Sequence, residues 1–249
     1  MDDTLDLKAL IDTPGARGVV NVPKVDLRVD PDARWAFADA NRAAINAHWE
    51  KRLASNPSFF NGAVMMLLAA RMEAGVLHGS FVRTDFKSFL FWKDEGYPEQ
   101  TVRDAFGSGL IWSSDGALML IRQAPGQVNS GLTYLPGGFI DARDVDADGR
   151  IDIVGSVVRE LQEETGLLSR EMTRLPGMTL TVFGAQLSFG VGFVSPLDAP
   201  ALQQRVMAFI EKDENPELSE VILLKKAILD DGGSFAPFAQ VLTEHVLSR

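Results

Sequence analysis

Three glutamates at helical spacing are the residues of this sequence best suited to chemistry. Glu160, Glu163 and Glu164 lie in the segment RELQEETGL, residues 159–167. On an α-helix, residues three and four apart share a face, so the three carboxylates would project together. Their repulsion would oppose helix formation by roughly 0.2–0.5 kcal/mol per pair. A hard divalent cation such as Mg²⁺ would turn it into attraction. The spacing indicates a divalent-metal site, with a solvated amphipathic helix as the alternative.

Two neighbouring features favour the metal site over the solvated helix. Arg159 precedes Glu163 by four residues, so on a helix it can pair with that carboxylate. Upstream, Pro136-Gly137-Gly138 predicts a tight turn of the backbone beside the helix. Glycine has no side chain and lets the backbone approach a phosphate or a metal ion closely.

These residues resemble the signature of the Nudix hydrolases, G-x5-E-x7-R-E-U-x-E-E-x-G-U, in which U is an aliphatic residue. The second half matches at every fixed position over residues 159–167, and Gly138 begins the first half. The resemblance implies an α/β/α sandwich around a mixed sheet, covering residues 106–249. Residues 1–105 would form an N-terminal α+β extension packed on it.

The resemblance also implies the roles of the signature residues. Glu160, Glu163 and Glu164 would bind Mg²⁺ or Mn²⁺, with the carbonyl of Gly138 as a further ligand, and Arg159 would orient the carboxylates. The implied substrate is a small nucleotide. The implied activity is metal-dependent hydrolysis of the pyrophosphate linkage in a nucleoside diphosphate derivative.

The middle of the signature is interrupted. Gly138 and Arg159 are separated by seven residues more than the signature has. Eight positions before Arg159, where the signature has a glutamate, the sequence has Ile151, which cannot bind metal. Asp152 next to it, or Asp141 ahead of the insertion, is the candidate replacement.

The insertion itself is rich in aspartate, with the sequence DVDADGRID over residues 144–152. Its acidic residues resemble the first nine positions of an EF-hand calcium loop: Asp144, Asp146, Asp148 and Asp152. The twelfth position, which should hold a bidentate glutamate, is Gly155, and no helix is predicted before the loop. We favour a polar surface loop, with a weak Ca²⁺ site as the alternative.

Composition limits the function classes further. The chain has 249 residues, a formal net charge of −10 and no cysteine. The acidic excess argues against binding of nucleic acid or anionic membranes, because phosphate groups are held by basic patches. The absence of cysteine excludes disulfides and thiolate chemistry. No apolar run approaches the ~18 residues of a membrane helix, and the N-terminus is acidic, so a cytoplasmic protein is expected.

The elements around the signature predict an α/β domain. The glutamates fall on a helix over 154–165, which Gly166 would end as a left-handed cap. In the second half, strands are predicted at 109–112, 117–122, 178–183, 185–193 and 221–225, and helices at 198–212 and 235–247. In the first half, strands are predicted at 19–29, 62–72 and 76–92, and helices at 32–53 and 99–106. Interleaved strands and helices favour a layered α/β fold.

The first half of the chain carries a second resemblance. The segments WEKRL (49–53), NPSFFNG (56–62) and TDFKSFL (84–90) are similar to the leader of Nudix enzymes that split UDP-glucose and UDP-galactose. This likeness implies a UDP-sugar as substrate, cleaved to UMP and a sugar 1-phosphate. ADP-ribose or a dinucleotide is the alternative substrate.

Aromatic residues in these segments are candidates for the substrate site. Phe59, Phe60 and Phe86 would be able to stack on a base, although buried core aromatics are commoner.

The expected reaction is attack of water on one phosphorus of the pyrophosphate linkage. A carboxylate should take the proton from that water. Glu160 or Glu164 would act from the helix, and Glu217 or Glu220 from a loop before the strand at 221–225. Two rival classes are a Nudix-fold sensor that binds a nucleotide without turnover, and a calcium-dependent interaction protein built on residues 144–152.

Overall fold

A computed structural model describes residues 13, 15–126, 128–214, 216–227 and 234–248. The acidic N-terminal residues 1–12 lie outside this range. The strands, in chain order, are β1 (Arg17–Val22), β2 (Lys24–Val29), β3 (Ala63–Glu73), β4 (Val76–Asp85), β5 (Asp104–Trp112), β6 (Leu118–Gln123), β7 (Thr133–Tyr134), β8 (Thr173–Arg174), β9 (Met178–Phe183), β10 (Gln186–Val194) and β11 (Leu218–Leu224). The helices are α1 (Ala36–Ala40), α2 (Arg42–Ser55), α3 (Phe86–Asp94), α4 (Ile153–Thr165), α5 (Ala199–Ile210) and α6 (Pro237–Leu247).

The strands form two sheets. The larger has the order β1-β9-β10-β5-β6-β11, with β7 beside β6 and β8 beside β10. It is mixed, because β10 runs parallel to β5 whereas its other pairings are antiparallel. The smaller sheet has the order β2-β4-β3. Strand β1, from the predicted extension, therefore forms an edge of the larger sheet, and the next three strands form the smaller one.

Helices cover both faces of the larger sheet. A Cβ added to Gly107 of β5 would lie 2.6 Å from Val157, so α4 packs directly on that face and requires glycine there. Neighbouring residues of a strand point to opposite faces. On the opposite face Phe106 contacts Phe238 of α6, with ring centroids 4.9 Å apart. The predicted α/β/α sandwich with a mixed sheet is confirmed.

The insertion in the signature packs against the smaller sheet. The N–H of Val29 donates to the carbonyl of Gly149 at 2.8 Å, and the N–H of Ile151 donates to the carbonyl of Leu27 at 2.9 Å. Helix α4 begins directly afterwards, with Asp152 as its N-cap. The inserted residues therefore connect the first half of the chain to the start of the glutamate helix.

Most predicted elements of the second half are confirmed. Helix α4 begins at Ile153, one residue before its predicted start, and Gly166 ends it with φ +67°. The predicted strand at 221–225 begins earlier, at Leu218. No helix in the described ranges is long and apolar enough to cross a membrane.

Two predicted elements of the first half are wrong. The strand predicted at 76–92 ends at Asp85, because the Asp85 carboxylate accepts a hydrogen bond from the N–H of Ser88 at 3.1 Å and caps α3. The helix predicted at 99–106 is also wrong, since Asp104 begins β5. A third prediction, the helix over 32–53, is divided into α1 and α2.

Candidate active site

Helix α4 places its glutamates at the rim of a cavity. Glu160 and Glu164 line a space of about 300 Å³ that extends between the larger sheet and α3. Glu163 lies farther out, with its side chain 53% exposed. All three glutamates line a neighbouring space of about 310 Å³ on the outer side of the helix. The predicted grouping of the three carboxylates on one helix face is therefore present.

A fourth carboxylate reaches the same place from a facing loop. Glu217, directly before β11, lines both cavities together with Glu160 and Glu164. Its position agrees with the prediction of an acidic residue ahead of this strand. Glu220, the other acidic candidate from this region, lines neither cavity. It lies within β11 and pairs with Arg122 at 3.2 Å. Glu220 lies apart from the helix glutamates because the strand begins earlier than predicted.

The buried glutamates are electrostatically crowded. Burial raises the pKa of Glu164 well above its usual value, and the charges of Glu160 and Glu217 raise it further. The N–H of Gly137, which donates to Glu164 at 2.9 Å, offsets part of this effect. The pKa of Glu160 is raised as well, mainly by burial, although Arg159 opposes the shift. Carboxylates that repel each other in a partly dry pocket are what a divalent cation stabilises.

Gly138 brings the backbone against this group. A Cβ at Gly138 would lie 2.6 Å from Oε2 of Glu160, so a larger residue would displace the carboxylate. The Gly138 carbonyl accepts a hydrogen bond from the N–H of Gly107 at 3.1 Å. A carbonyl oxygen has two lone pairs, so one stays available to a ligand. Within the described residues, no three acidic or histidine side chains converge closely enough to form a complete metal site.

Arg159 is fixed by carboxylates on both sides. Its guanidinium contacts Glu160 and also donates to Oδ1 of Asp144 at 3.0 Å. Asp144 is only 6% exposed and accepts further hydrogen bonds from the hydroxyl of Ser156 at 3.0 Å and the N–H of Asp141 at 2.9 Å. These contacts hold the guanidinium against Glu160, which agrees with the orienting role expected of Arg159.

Asp144 stands where the interrupted signature requires a carboxylate. It lies six residues after Gly138, the spacing that the signature gives to its middle glutamate. The position counted back from Arg159 is not Asp144, because the seven extra residues lie between Asp144 and Arg159. Of the two residues predicted instead, Asp152 caps α4 and Asp141 bonds to Arg143 at 2.7 Å. Counting forward from the glycine would have found it.

The calcium alternative for the insertion does not fit the structure. Asp144 faces Arg159 and is unavailable to a cation shared with the loop. The Asp146 carboxylate instead accepts the N–H groups of Asp148 and Arg150, both at 2.9 Å, which makes a turn. Asp146 and Asp148 are exposed. The favoured interpretation, a polar surface loop, agrees with these contacts.

The aromatic candidates of the first half also lie elsewhere. Phe59 and Phe86 pack edge to face, 5.8 Å apart, in a separate hydrophobic cluster, and Phe60 is 82% exposed. None of the three lines the cavity beside the glutamates. That cavity has other aromatic walls, which the sequence did not reveal because distant elements supply them: Phe89, Phe106, Tyr134, Phe139 and Phe238.

The glutamate helix, the preceding glycine turn and the facing loop all fall within one recognised domain. Residues 103–226 match the NUDIX domain. This segment of the chain is therefore identified as a Nudix domain. The predicted enzyme class, a pyrophosphohydrolase acting on phosphoanhydride bonds, is confirmed. Nudix hydrolases act on small nucleotides and generally use divalent metal ions.

Solved Nudix structures are similar to this chain at low identity. The Nudix hydrolase RenU from M. smegmatis has 16% identity and a TM-score of 0.35, over 58% of this chain and 82% of that one. A MutT protein from Methanosarcina mazei has 16% identity and a TM-score of 0.35, over 57% and 91%. A bifunctional NMN adenylyltransferase/ADP ribose pyrophosphatase from Francisella tularensis, complexed with AMP and a manganese ion, has 16% identity and a TM-score of 0.34, over 55% and 38%. No curated protein sequence matches significantly.

Asp144 should be needed for stability, whereas exposed aspartates of the same loop should not. Changing Asp144 to Asn removes the buried carboxylate from the charged partners of Arg159, which is itself partly buried. We expect the free energy of unfolding to fall by about 1–3 kcal/mol in urea titrations. Asp148→Asn, in the same loop but exposed, should change it by less than about 0.5 kcal/mol. Equal effects of the two variants would contradict the role given to Asp144.

Glu164 should make stability depend on pH when no metal is added. Its pKa is raised in the folded protein above 4.5, so its contribution to stability is complete at low pH and is lost as pH rises through the folded pKa. Glu164→Gln should therefore raise the melting temperature in EDTA near pH 8 and lose this advantage as pH falls below about 4.5.

The matched control for this prediction is Glu163→Gln, because Glu163 lies on the same helix but is half exposed. The melting temperature of Glu163→Gln should change with pH as that of the wild type does. If the melting temperature of Glu164→Gln also changed with pH in parallel with the wild type, the burial of Glu164 would have no energetic consequence.

Proposed function

We propose that this chain hydrolyses the diphosphate linkage of a nucleoside diphosphate derivative with Mg²⁺, and that a UDP-hexose is its preferred substrate, cleaved to UMP and a hexose 1-phosphate. The observation that carries the proposal is that Glu160, Glu164 and Glu217 line the same cavity. That cavity is also lined by aromatic, amide and charged side chains, which suit an organic group attached to the diphosphate.

The residues present fit a hard divalent cation. Glu160, Glu163 and Glu164 would hold it, with the Gly138 carbonyl as a further oxygen donor, and Mg²⁺ prefers such oxygen ligands. The raised pKa of both Glu160 and Glu164 supports this assignment, since each carboxylate lacks enough positive charge nearby. When bound, the ion neutralises phosphate oxygens and lowers the pKa of a coordinated water.

Two other side chains are placed to act on the substrate. Glu217 faces the helix glutamates from its loop, and its carboxylate accepts no hydrogen bond from the described residues, so it is free to take a proton from water. Arg143 lines both cavities and pairs with Asp141 at 2.7 Å and with Glu163 at 3.6 Å. A guanidinium so placed can donate to the phosphate oxygens.

The first half of the chain supports a substrate with a group beyond the diphosphate. Helix α3 contributes Phe89 and Lys93 to the wall of the cavity. The extension therefore lines part of the space that the substrate would occupy, as expected if it contacts the group attached to the diphosphate. A free triphosphate needs less of this wall than a nucleoside diphosphate sugar.

Removal of one helix carboxylate should abolish turnover without unfolding the protein. We expect Glu163→Gln and Glu164→Gln each to lower kcat by about 100-fold or more with Mg²⁺, because a hard cation loses an anionic ligand. Glu220→Gln is the control: Glu220 is also acidic but pairs with Arg122 outside the cavities, so activity should stay within about twofold. Full activity of both ligand variants would remove the metal assignment.

The substrate is tested by rates on three compounds under identical conditions. UDP-glucose should show a higher kcat/KM than ADP-ribose or dGTP, with UMP and glucose 1-phosphate as products. A clear preference for ADP-ribose or dGTP would exclude a UDP-hexose as the preferred substrate, and the assignment as a hydrolase would stand. Nucleotide binding without turnover of any of them would favour a sensor.

A further inference from the structure

One end of the cavity is built from polar side chains that lie away from the glutamates. Burial and the charge of Glu164 both raise the pKa of Tyr134. The ammonium of Lys93 donates to Oδ1 of Asn129 at 2.8 Å. The cavity is lined by all five side chains: Glu164, Tyr134, Asn129, Lys93 and Asp104.

Asp104 is the most unusual member of this group. It is only 4% exposed. Among the described residues its carboxylate accepts one side-chain hydrogen bond, a long one of 3.4 Å from the amide of Gln186. Burial raises its pKa to about 6, although Lys93 opposes the shift. A buried carboxylate with so few donors retains lone pairs that need a partner.

Lys93 lies near this carboxylate without bonding to it. Its ammonium donates to Asn129 and, at 3.4 Å, to the carbonyl of Val128. Among the described residues no ion pair joins Lys93 to Asp104, although both line the cavity. The cavity therefore presents an anionic acceptor and a cationic donor that do not bond to each other.

Flat aromatic walls enclose the same space. Phe139 and Phe89 meet edge to face with centroids 4.8 Å apart, and Phe106 and Phe238 meet at 4.9 Å. All four line the cavity. Aromatic walls favour a planar ring between them. A planar group that offers both a donor and an acceptor at one edge would fit the walls and the polar residues together.

We propose that this end of the cavity binds a nucleobase through an edge that has a ring N–H next to a carbonyl oxygen. Asp104 accepts the ring N–H and Lys93 donates to the carbonyl. Uracil, thymine, guanine and hypoxanthine have this edge. The proposal rests on the proposed function in one respect, that the diphosphate lies at the glutamates.

The same pair of residues discriminates against the other bases. Adenine and cytosine present a ring nitrogen lone pair where the preferred bases present an N–H. That lone pair would face the lone pairs of Asp104, and the amino group beside it would face the ammonium of Lys93. Repulsion and unpaired buried groups both weaken such a complex.

The test is binding of UMP, GMP, AMP and CMP to the full chain by calorimetry in the presence of Mg²⁺. We expect UMP or GMP to bind at least about tenfold more tightly than AMP and CMP. Asp104→Asn and Lys93→Met should each weaken the preferred nucleotide by about tenfold or more. The Asp104→Asn variant should also reduce the difference in affinity between the preferred nucleotides and AMP or CMP.

The control is Lys87→Met, which removes a lysine of the same helix that lines a different cleft, and it should bind like wild type. Circular dichroism verifies folding, and Lys93→Met carries the test if Asp104→Asn does not fold. Equal affinity for the four nucleotides, no detectable binding, or an Asp104 variant with unchanged selectivity would overturn the proposal.

A separate turnover assay distinguishes this proposal from the proposed function. It compares UDP-, GDP-, ADP- and CDP-glucose, which differ only in the base. Selective binding of the monophosphates without hydrolysis of any sugar nucleotide would refute the proposed sugar-nucleotide substrate and support the base site. Hydrolysis of all four at equal kcat/KM would support the hydrolase and refute the base site.

Discussion

Like charges held together at the end of α4 impose the main constraint on this structure. Glu160 and Glu164 are partly buried on one helix face, Glu217 lines the same cavity, and burial raises the pKa of both helix residues. In the absence of a cation, such a group favours separation or protonation. The fold opposes separation through Arg159, which is fixed by the buried Asp144, and through the glycine turn that lies against Glu160. Stability given up at this helix is consistent with a site organised for binding.

The parts of the site that could be predicted from the sequence are local. Helical spacing alone places Glu160, Glu163 and Glu164 on one face, and a glycine after Thr165 defines the helix end. Local geometry of this kind needs no knowledge of the sheet. The fold class also followed from alternating elements, because strands and helices that alternate have few ways to bury their apolar sides.

The rest of the cavity depends on tertiary register. Asp104 and Gln186 are 82 residues apart and meet only because β5 and β10 pair in parallel with these two residues opposite each other. Lys93 lines the same cavity because β4 ends at Asp85 and α3 follows, where a run rich in apolar residues predicted a longer strand. Phe59 and Phe86 lie outside the cavity lining for a related reason: the sequence shows which aromatic residues exist but not which hydrophobic cluster they enter.

The inserted residues of the signature have a dynamic consequence. Strand β2 hydrogen-bonds to Gly149 and Ile151, and the helix with the glutamates starts two residues later. Asp144, which fixes Arg159, lies at the other end of the same short segment. Local opening of the smaller sheet would therefore loosen the contact of Arg159 with Asp144 and the start of its helix together, as one cooperative unit. Amide hydrogen exchange of β2 and of the first turn of α4 would then share one opening rate, so that the first half of the chain governs how long the glutamates remain aligned.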